Sequence, residues 1–424
     1  MIDNGKDIEE NSIEGMWDEQ KNIFKDKSVV KVSYVPDSIS GALHRREAIR
    51  ELQRFLIDVN RNLSPNPIII YGKMGTGKTL VSRLVLNDLK MVADKKGKKV
   101  TVIEIKCDEL STENAILGRL NNALMFELLG KSKVTIGNSK TRNNLYFNHY
   151  FNELDGILII FLDEISGIKD PNLINNLTRT ISTKNGQPPC LVMTTNDIFF
   201  KETLDGKTKS VLAENEIIFN PYDAEQLSDI LKARAKLAFY PDVLTEMVIP
   251  LCSAFAAQEH GDARKAIELL CKSGEIAEEK GKSIVEEEDV RDANERLELD
   301  RLSSIVRTLP TQSKLTLYAA LLLIEKSATR KANCTTSEIY NVYRQIAHYI
   351  DVDILTQRRV TDLISELDML GIINSIVVSK GRYGRTKTVV IHGPLHQMKI
   401  VLLEDYRLKQ LLDFKTSVFH KMFE

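Results

Sequence analysis

Over its first half the chain alternates short apolar runs with amphipathic stretches. PIIIY (67–71), VTVIEIKC (100–107), GILIIFLDE (156–164) and PCLVMTTND (189–197) read as strands. Between them, apolar residues recur at helical spacing from about Gly77 to Ala93 and through ENAILGRLNNALMFELLG (113–130). The alternation predicts an α/β fold, a mainly parallel sheet with helices on both faces. From Asp223 to about Leu299 the pattern is helical throughout, which predicts a small helical domain. It changes again near Arg301–Pro310, and several helices, one β-ribbon and a helical tail follow. Internal repeats and low-complexity tracts are absent.

Composition alters this picture in two places. The formal net charge of −1 hides an asymmetry. Residues from Arg301 onward carry 18 Lys+Arg against 11 Asp+Glu, so +7, and the first 300 residues carry −8. An acidic front and a basic back predict that the back meets a polyanion. The five cysteines (107, 190, 252, 271 and 334) are scattered and never spaced CxxC, as expected of small core residues in a reducing interior. No apolar run is long enough to span a bilayer, and MIDNGKDIEENSIEGMW lacks the cationic start and apolar centre of a secretory signal. A cytoplasmic, chromosome-associated protein without a membrane partner is expected.

Gly72, Lys73, Met74, Gly75, Thr76, Gly77, Lys78 and Thr79 form G-x-x-x-x-G-K-[ST], with a strand before and a helix after. Glycines let backbone N–H groups wrap phosphates, and the helix N-terminus adds favourable partial charge. Lys78 is expected on the β- and γ-phosphates and Thr79 on Mg²⁺. The apolar strand ILIIFLDE presents Asp163, to hold Mg²⁺ directly or through water, and Glu164, to orient or deprotonate an attacking water. Asn196, ending CLVMTTN, is placed to bridge that water and the γ-phosphate; equally, it is a common turn residue.

The C-terminal part carries TTSEIYNVYRQIAHYI (335–350) and TQRRVTDLISELDMLGII (356–373), two helices with Thr335 or Thr336 and Thr356 as N-caps and Gly371 as a left-handed end. This is a helix–turn–helix, and Gln357, Arg358 and Thr361 lie at the start of its second helix, where base edges are met. A β-ribbon follows, with SKGRYGRTKT at its tip, as in a winged helix. Lys380, Arg382, Arg385 and Lys387 there suit phosphates or a narrow minor groove. Tyr383 would stack, wedge or cap the ribbon. Winged helices also serve as protein-binding modules, but the +7 balance favours DNA.

This order of motifs resembles an AAA+ ATPase, and its finer pattern is similar to the archaeal origin-recognition / cell-division-control replication initiators. The likeness runs from about Val29 to the C-terminus. YVPDSISGALHRREAI resembles that family's adenine-side segment, with four extra residues between its two parts. IFNPYDAEQLSDILKARAKLAF (218–239) resembles its lid opening, and GDARKAIELLCKSGEIAEEKG (261–281) its second-sensor helix. The resemblance implies ATP or ADP with Mg²⁺ as cofactors. It implies Tyr222 and Arg264 at the nucleotide, with Arg264 reaching the phosphates from the lid, and Asn196 as first sensor. It also implies an inserted element at KSKVTIGNSKTR (131–142), where Lys131, Lys133 and Lys140 would meet DNA; an ordinary charged loop is the alternative. Implied partners are duplex DNA at an origin or promoter, the replicative MCM helicase, and a paralogue or second copy on DNA.

The divisions expected are a mobile polar lead-in (1–28), an AAA+ nucleotide-binding α/β domain with a five-stranded parallel sheet (29–222), a helical lid (223–303) and a winged-helix DNA-binding domain (304–424). One departure stands out. In LDGKTKS (204–210), Lys207 occupies the place of the family's arginine finger. Lysine cannot reproduce a bidentate guanidinium grip, so slow or switch-like ATP use is expected. A replication initiator is the first reading. An ATP-switched regulator of transcription or initiation is the second, and a mechanical ATPase such as a clamp loader the third.

Overall fold

A computed structural model describes residues 23–130, 139–170, 172–184, 186–204, 206, 209, 215–326, 334–379, 385–391 and 394–414. The chain divides into two compact units, one ending at Val290 and the other starting at Arg291.

The first unit holds strands β1 (Ile68–Gly72), β2 (Val100–Lys106), β3 (Ile157–Asp163), β4 (Cys190–Thr195) and β5 (Glu216–Phe219). They form one parallel sheet in the order β2-β3-β4-β1-β5. The continuous apolar runs are explained by burial on both faces. Ile68 and Ile70 join one core with Ile159, Phe161 and Val192, while Ile69 and Tyr71 join the opposite core with Leu158, Ile160 and Leu162. That division follows the two-residue period of a strand.

Helices α1 (Arg46–Phe55), α2 (Lys78–Lys95), α3 (Glu113–Leu129), α4 (Lys140–Glu153) and α5 (Asn172–Arg179) complete this layer. Ile49, Leu52, Val81 and Val85 pack in the first core, and Leu117, Leu120, Phe147 and Phe151 in the second. β5 runs into the start of the stretch read as the lid opening (218–239) and had not been recognised as a strand. It is only four residues long and its Ile218 is exposed.

The lid comprises α6 (Ala224–Ala238), α7 (Val248–Gln258) and α8 (Ala263–Glu279). Asp223 and Gln226 form a reciprocal capping box at the start of α6. Residues 23–34 run along this lid. Ile23 is buried, Phe24 packs on Phe239 with ring centroids 4.7 Å apart, and Lys27 pairs with Glu275 at 2.9 Å. Residues 23–28 belong to the segment expected as lead-in; their apolar Ile23 and Phe24 are what anchors them.

Helix α9 (Glu287–Thr308) leads into the second unit, which holds α10 (Thr311–Lys326), α11 (Thr336–Tyr349), α12 (Gln357–Met369) and α13 (Leu395–Leu403). Strands β6 (Cys334–Thr335), β7 (Asn374–Ser379) and β8 (Arg385–Val390) form an antiparallel sheet in the order β6-β8-β7. Thr335 caps α11 with Glu338 in a capping box, Thr356 caps α12, and Gly371 follows α12 with φ +71°. Leu315, Leu321, Ile339, Tyr343, Val360, Ile364, Leu367 and Leu402 build one core. The turn between α11 and α12 is fastened by tyrosine hydroxyls. Tyr340 donates to the Leu355 carbonyl at 3.2 Å, and the Leu355 N–H donates to Tyr343 at 3.1 Å.

All five cysteines are unpaired, and four are buried. Among the described residues no helix is long and apolar enough to cross a membrane, and no cluster of His, Cys, Asp or Glu is arranged to hold a metal by itself.

Candidate nucleotide site and nucleic-acid interface

The C-terminal ends of β1, β3 and β4 are neighbours, as the strand order requires, and ligands of open α/β sheets lie at such ends. Gly72–Thr79 turns from β1 into α2 there. Gly75 and Gly77 have φ of +71° and +88°, which a side chain rarely tolerates. Among the described residues no side chain caps the first turn of α2, so its N–H groups keep no side-chain acceptor there. Thr76 braces the loop by donating to the Lys73 carbonyl at 2.8 Å. Lys73 and Met74 sit at the exposed crest.

Lys78 is only 4% exposed. Its ammonium donates to the carbonyls of Gly72 (2.8 Å) and Lys73 (3.1 Å) and lies 3.6 Å from Glu164 Oε1. Burial pushes its pKa down; the Glu164 carboxylate opposes that shift and Arg264 adds to it. Thr79 Oγ1 donates to Asp163 Oδ1 at 2.8 Å, and Thr194 Oγ1 donates to the same oxygen at 2.6 Å. Glu164 holds a left-handed φ of 53°, with its N–H on Thr194 Oγ1 at 3.0 Å. Glu164 Oε2 is buried without a hydrogen-bond partner among the described residues. Such strain and such an orphan acceptor cluster at functional sites. Asn196 is exposed at the end of β4 and accepts from Ser166 at 3.2 Å.

The lid supplies the other wall. Asp262 caps α8 by accepting from the Arg264 N–H at 2.7 Å, and the Ala263 N–H donates to the Gly75 carbonyl at 3.3 Å. A Cβ on Gly75 would fall 1.6 Å from Asp262 Oδ1, so only glycine lets the lid helix start this close. Arg264 is exposed and lines a cavity of about 220 Å³ together with Gly75, Gly77, Lys78, Thr79 and Tyr222. The same cavity continues between Tyr34, Val35 and Leu43 on one side and Ile230, Arg234 and Ile267 on the other. Arg234 stacks over the Tyr34 ring at 4.3 Å and donates to the Val29 carbonyl at 2.9 Å. A polar, cationic end and an apolar end therefore share one cavity.

The site residues expected from sequence in the phosphate loop, at Asp163, Glu164 and Asn196, and at Tyr222 and Arg264 lie around the ends of these strands and the facing lid. Two further contributors carried weak signals. Thr194 was one of two threonines closing an apolar strand. Arg45 was one of two adjacent arginines in HRRE.

At the start of α12, Gln357 donates to Ser337 Oγ at 3.3 Å and Arg358 is exposed. Thr361 donates back to the Gln357 carbonyl at 2.9 Å. Lys387 on β8 donates to Ser365 Oγ at 2.6 Å. Among the described residues, Arg358 and Lys387 make no ion pair. Arg385 opens β8 opposite Ser379, and its side chain lies outside what is described, as do Lys380, Arg382 and Tyr383 entirely. In the first unit, Lys131, Lys133 and Lys207 also lie outside the described residues. Lys140 begins α4, and its ammonium pairs with the buried Glu113 and lies 3.8 Å from Asp170.

A parallel sheet with a phosphate loop and a three-helix lid, followed in one chain by a winged helix, defines an AAA+ ATPase with a C-terminal winged helix. Family comparisons divide the chain in the same order: the AAA family (ATPase family associated with various cellular activities) matches residues 68–213, the Cdc6 AAA+ ATPase-type lid domain 228–295, and the CDC6 C-terminal winged helix domain 304–399. The chain is 49% identical to ORC1-type DNA replication protein 1 of Methanosarcina acetivorans, over 98% of this chain and 100% of that one. It is 42% identical to the ORC1-type DNA replication protein of Pyrococcus furiosus, over 92% of each. The solved structure of the Aeropyrum pernix ORC1 protein in complex with DNA matches with a TM-score of 0.75 and 38% identity, covering 92% of this chain and 99% of that one. The chain belongs to the ORC1-type, Cdc6-related family of DNA replication proteins.

Proposed function

We propose that the chain is an ATP-binding replication initiator that grips duplex origin DNA through its winged helix and helps recruit or load the replicative MCM helicase. The observation that carries the nucleotide half is the convergence of Lys78, Thr79 and Arg264 on one cavity that also has an apolar end, with Asp163 held behind it on the Thr79 hydroxyl. These residues fit a nucleoside triphosphate with Mg²⁺. Glycines at 75 and 77 give the loop its left-handed turns, an uncapped helix start faces the cavity, and a carboxylate and a hydroxyl are already hydrogen-bonded as a pair. Thr79 and Asp163 would hold the cation, whose contribution is to neutralise phosphate charge. Lys78 and Arg264 bind and orient the phosphates, Glu164 and Asn196 orient water, and Tyr34, Ile230 and Ile267 enclose the base.

The DNA half is supported by the cation at the start of α12, the unpaired Lys387 on the ribbon, the net positive charge of the C-terminal part and the DNA-bound A. pernix relative. The element at 131–142 is the proposed second DNA contact. Lys207 at the finger position favours one rival, an ATP-switched regulator on the same scaffold.

Two measurements on the full chain test the proposal. Duplex-DNA affinity should fall steeply with salt. Lys78→Ala should abolish ATP binding while leaving low-salt DNA binding in place. ATP affinity retained in that variant, or no binding of duplex DNA at low salt, would sink it.

A further inference from the structure

Arg45 is 8% exposed, and among the described residues no carboxylate lies within ion-pair distance of it. A buried guanidinium without a counter-charge is costly, so its neighbours must repay the desolvation. They do so with carbonyls and a ring. Arg45 Nε donates to the Thr76 carbonyl at 3.0 Å, a terminal N–H donates to the Asn220 carbonyl at 2.7 Å, and the guanidinium lies over the Tyr222 ring at 3.7 Å. Burial pushes the Arg45 pKa down and Tyr222 opposes the shift.

The Thr76 contact has a geometric consequence. In a trans peptide the C=O and the following N–H point in opposite directions. Holding the Thr76 carbonyl toward Arg45 therefore turns the Gly77 N–H away from Arg45. Gly77 lines the nucleotide cavity and Arg45 does not; Arg45 lines a separate cleft beside α1 and β5. The Gly77 N–H is thus directed to the cavity side of the loop. Tyr222 closes over the same glycine, with its hydroxyl 3.0 Å from where a Cβ would stand. Asn220, the second carbonyl held by Arg45, lies between β5 and α6, on the chain that connects sheet and lid.

We propose that Arg45 is a positioning residue for nucleotide phosphates: it presets the Thr76–Gly77 peptide with its N–H toward the anion and ties that setting to the lid connection at Asn220. The inference rests on the nucleotide reading of the cavity. Its distinguishing consequence is that the loss on removing Arg45 depends on phosphate. A merely structural pin would loosen the whole cavity and weaken the nucleoside end equally.

The test is competition of ATP, ADP and adenosine against a fluorescent ADP analogue, with Mg²⁺, on full-length wild type, Arg45→Gln and Arg45→Lys, each checked for native circular dichroism. Losing a hydrogen bond from a charged group costs about tenfold or more. Arg45→Gln should therefore weaken ADP and ATP by about tenfold or more and adenosine by less than about threefold. Arg45→Lys keeps the charge but not the fork, and should fall between. If the glutamine variant does not fold, the lysine variant carries the same comparison. ADP and ATP affinities equal to wild type in a folded variant, or adenosine weakened as much as ADP, overturns the inference. A wild-type chain that binds no nucleotide would instead overturn the reading of the site.

Discussion

The Thr79 hydroxyl donates to Asp163 Oδ1 across 2.8 Å, joining the start of α2 to the end of β3. Thr194 on β4 reaches the same oxygen, so the carboxylate is aimed by two hydroxyls from different elements. A carboxylate and hydroxyl held in this way are a preformed half-shell for a hard cation. Thr79→Ala and Asp163→Asn should therefore weaken ATP by about tenfold or more when Mg²⁺ is present. With the metal chelated, the loss should shrink to less than about threefold. Titrations with and without chelator check this, and equal losses under both conditions would remove the pair from the cation site.

Lys140 and Lys387 were both expected to meet DNA, but their surroundings differ. Lys140 is spent on the buried Glu113, whereas among the described residues Lys387 meets the Ser365 hydroxyl and no carboxylate. Lys387→Ala should lower the slope of log affinity against log salt by about 0.9, the value of one phosphate contact. Lys140→Ala should leave the slope unchanged and destabilise the first unit by about 1–3 kcal/mol, since it leaves the buried Glu113 carboxylate with the Asn176 amide but without its counter-charge. Slopes measured on the full chain separate the two, and an equal drop for Lys140→Ala would return it to the DNA surface.

Asp405 accepts from Lys314 at 2.7 Å and from the Arg407 N–H at 3.0 Å. The Lys314 hydrogen bond is the main reason its carboxyl titrates below the ordinary 3.8, against a smaller opposing effect of burial. A carboxyl depressed by folding adds stability that is complete above the unfolded value and is lost as pH falls through the folded one. Asp405→Asn should thus cost the second unit about 2 kcal/mol at pH 7. The difference from wild type should fade below about pH 3.8. Protection factors from hydrogen exchange in Thr311–Lys326 report it, and a difference unchanged at low pH would contradict the assignment.

Much of this was legible because burial on two faces leaves an unmistakable mark. β1, β3 and β4 are apolar at nearly every position, and the loop glycines at 75 and 77 are required by their left-handed φ. β5 was missed because EIIF is short, with one edge open and Ile218 exposed, so it lacks that mark. β6 has only two residues and exists through its pairing with β8. Thr194 could not be assigned to Asp163 from sequence, because the contact depends on the register between β3 and β4. Arg45 and Arg46 are chemically identical neighbours. Which one turns inward is decided where the backbone enters α1, after His44 in the left-handed region, and not by residue type.

As the proposed initiator, the chain would mark where replication begins. Chromosome-wide mapping of the bound wild-type protein decides between this role and its rival. A few sharp peaks that coincide with replication starts are expected. Many peaks at promoters, with none at replication starts, would contradict that role and leave the chain an ATP-switched regulator.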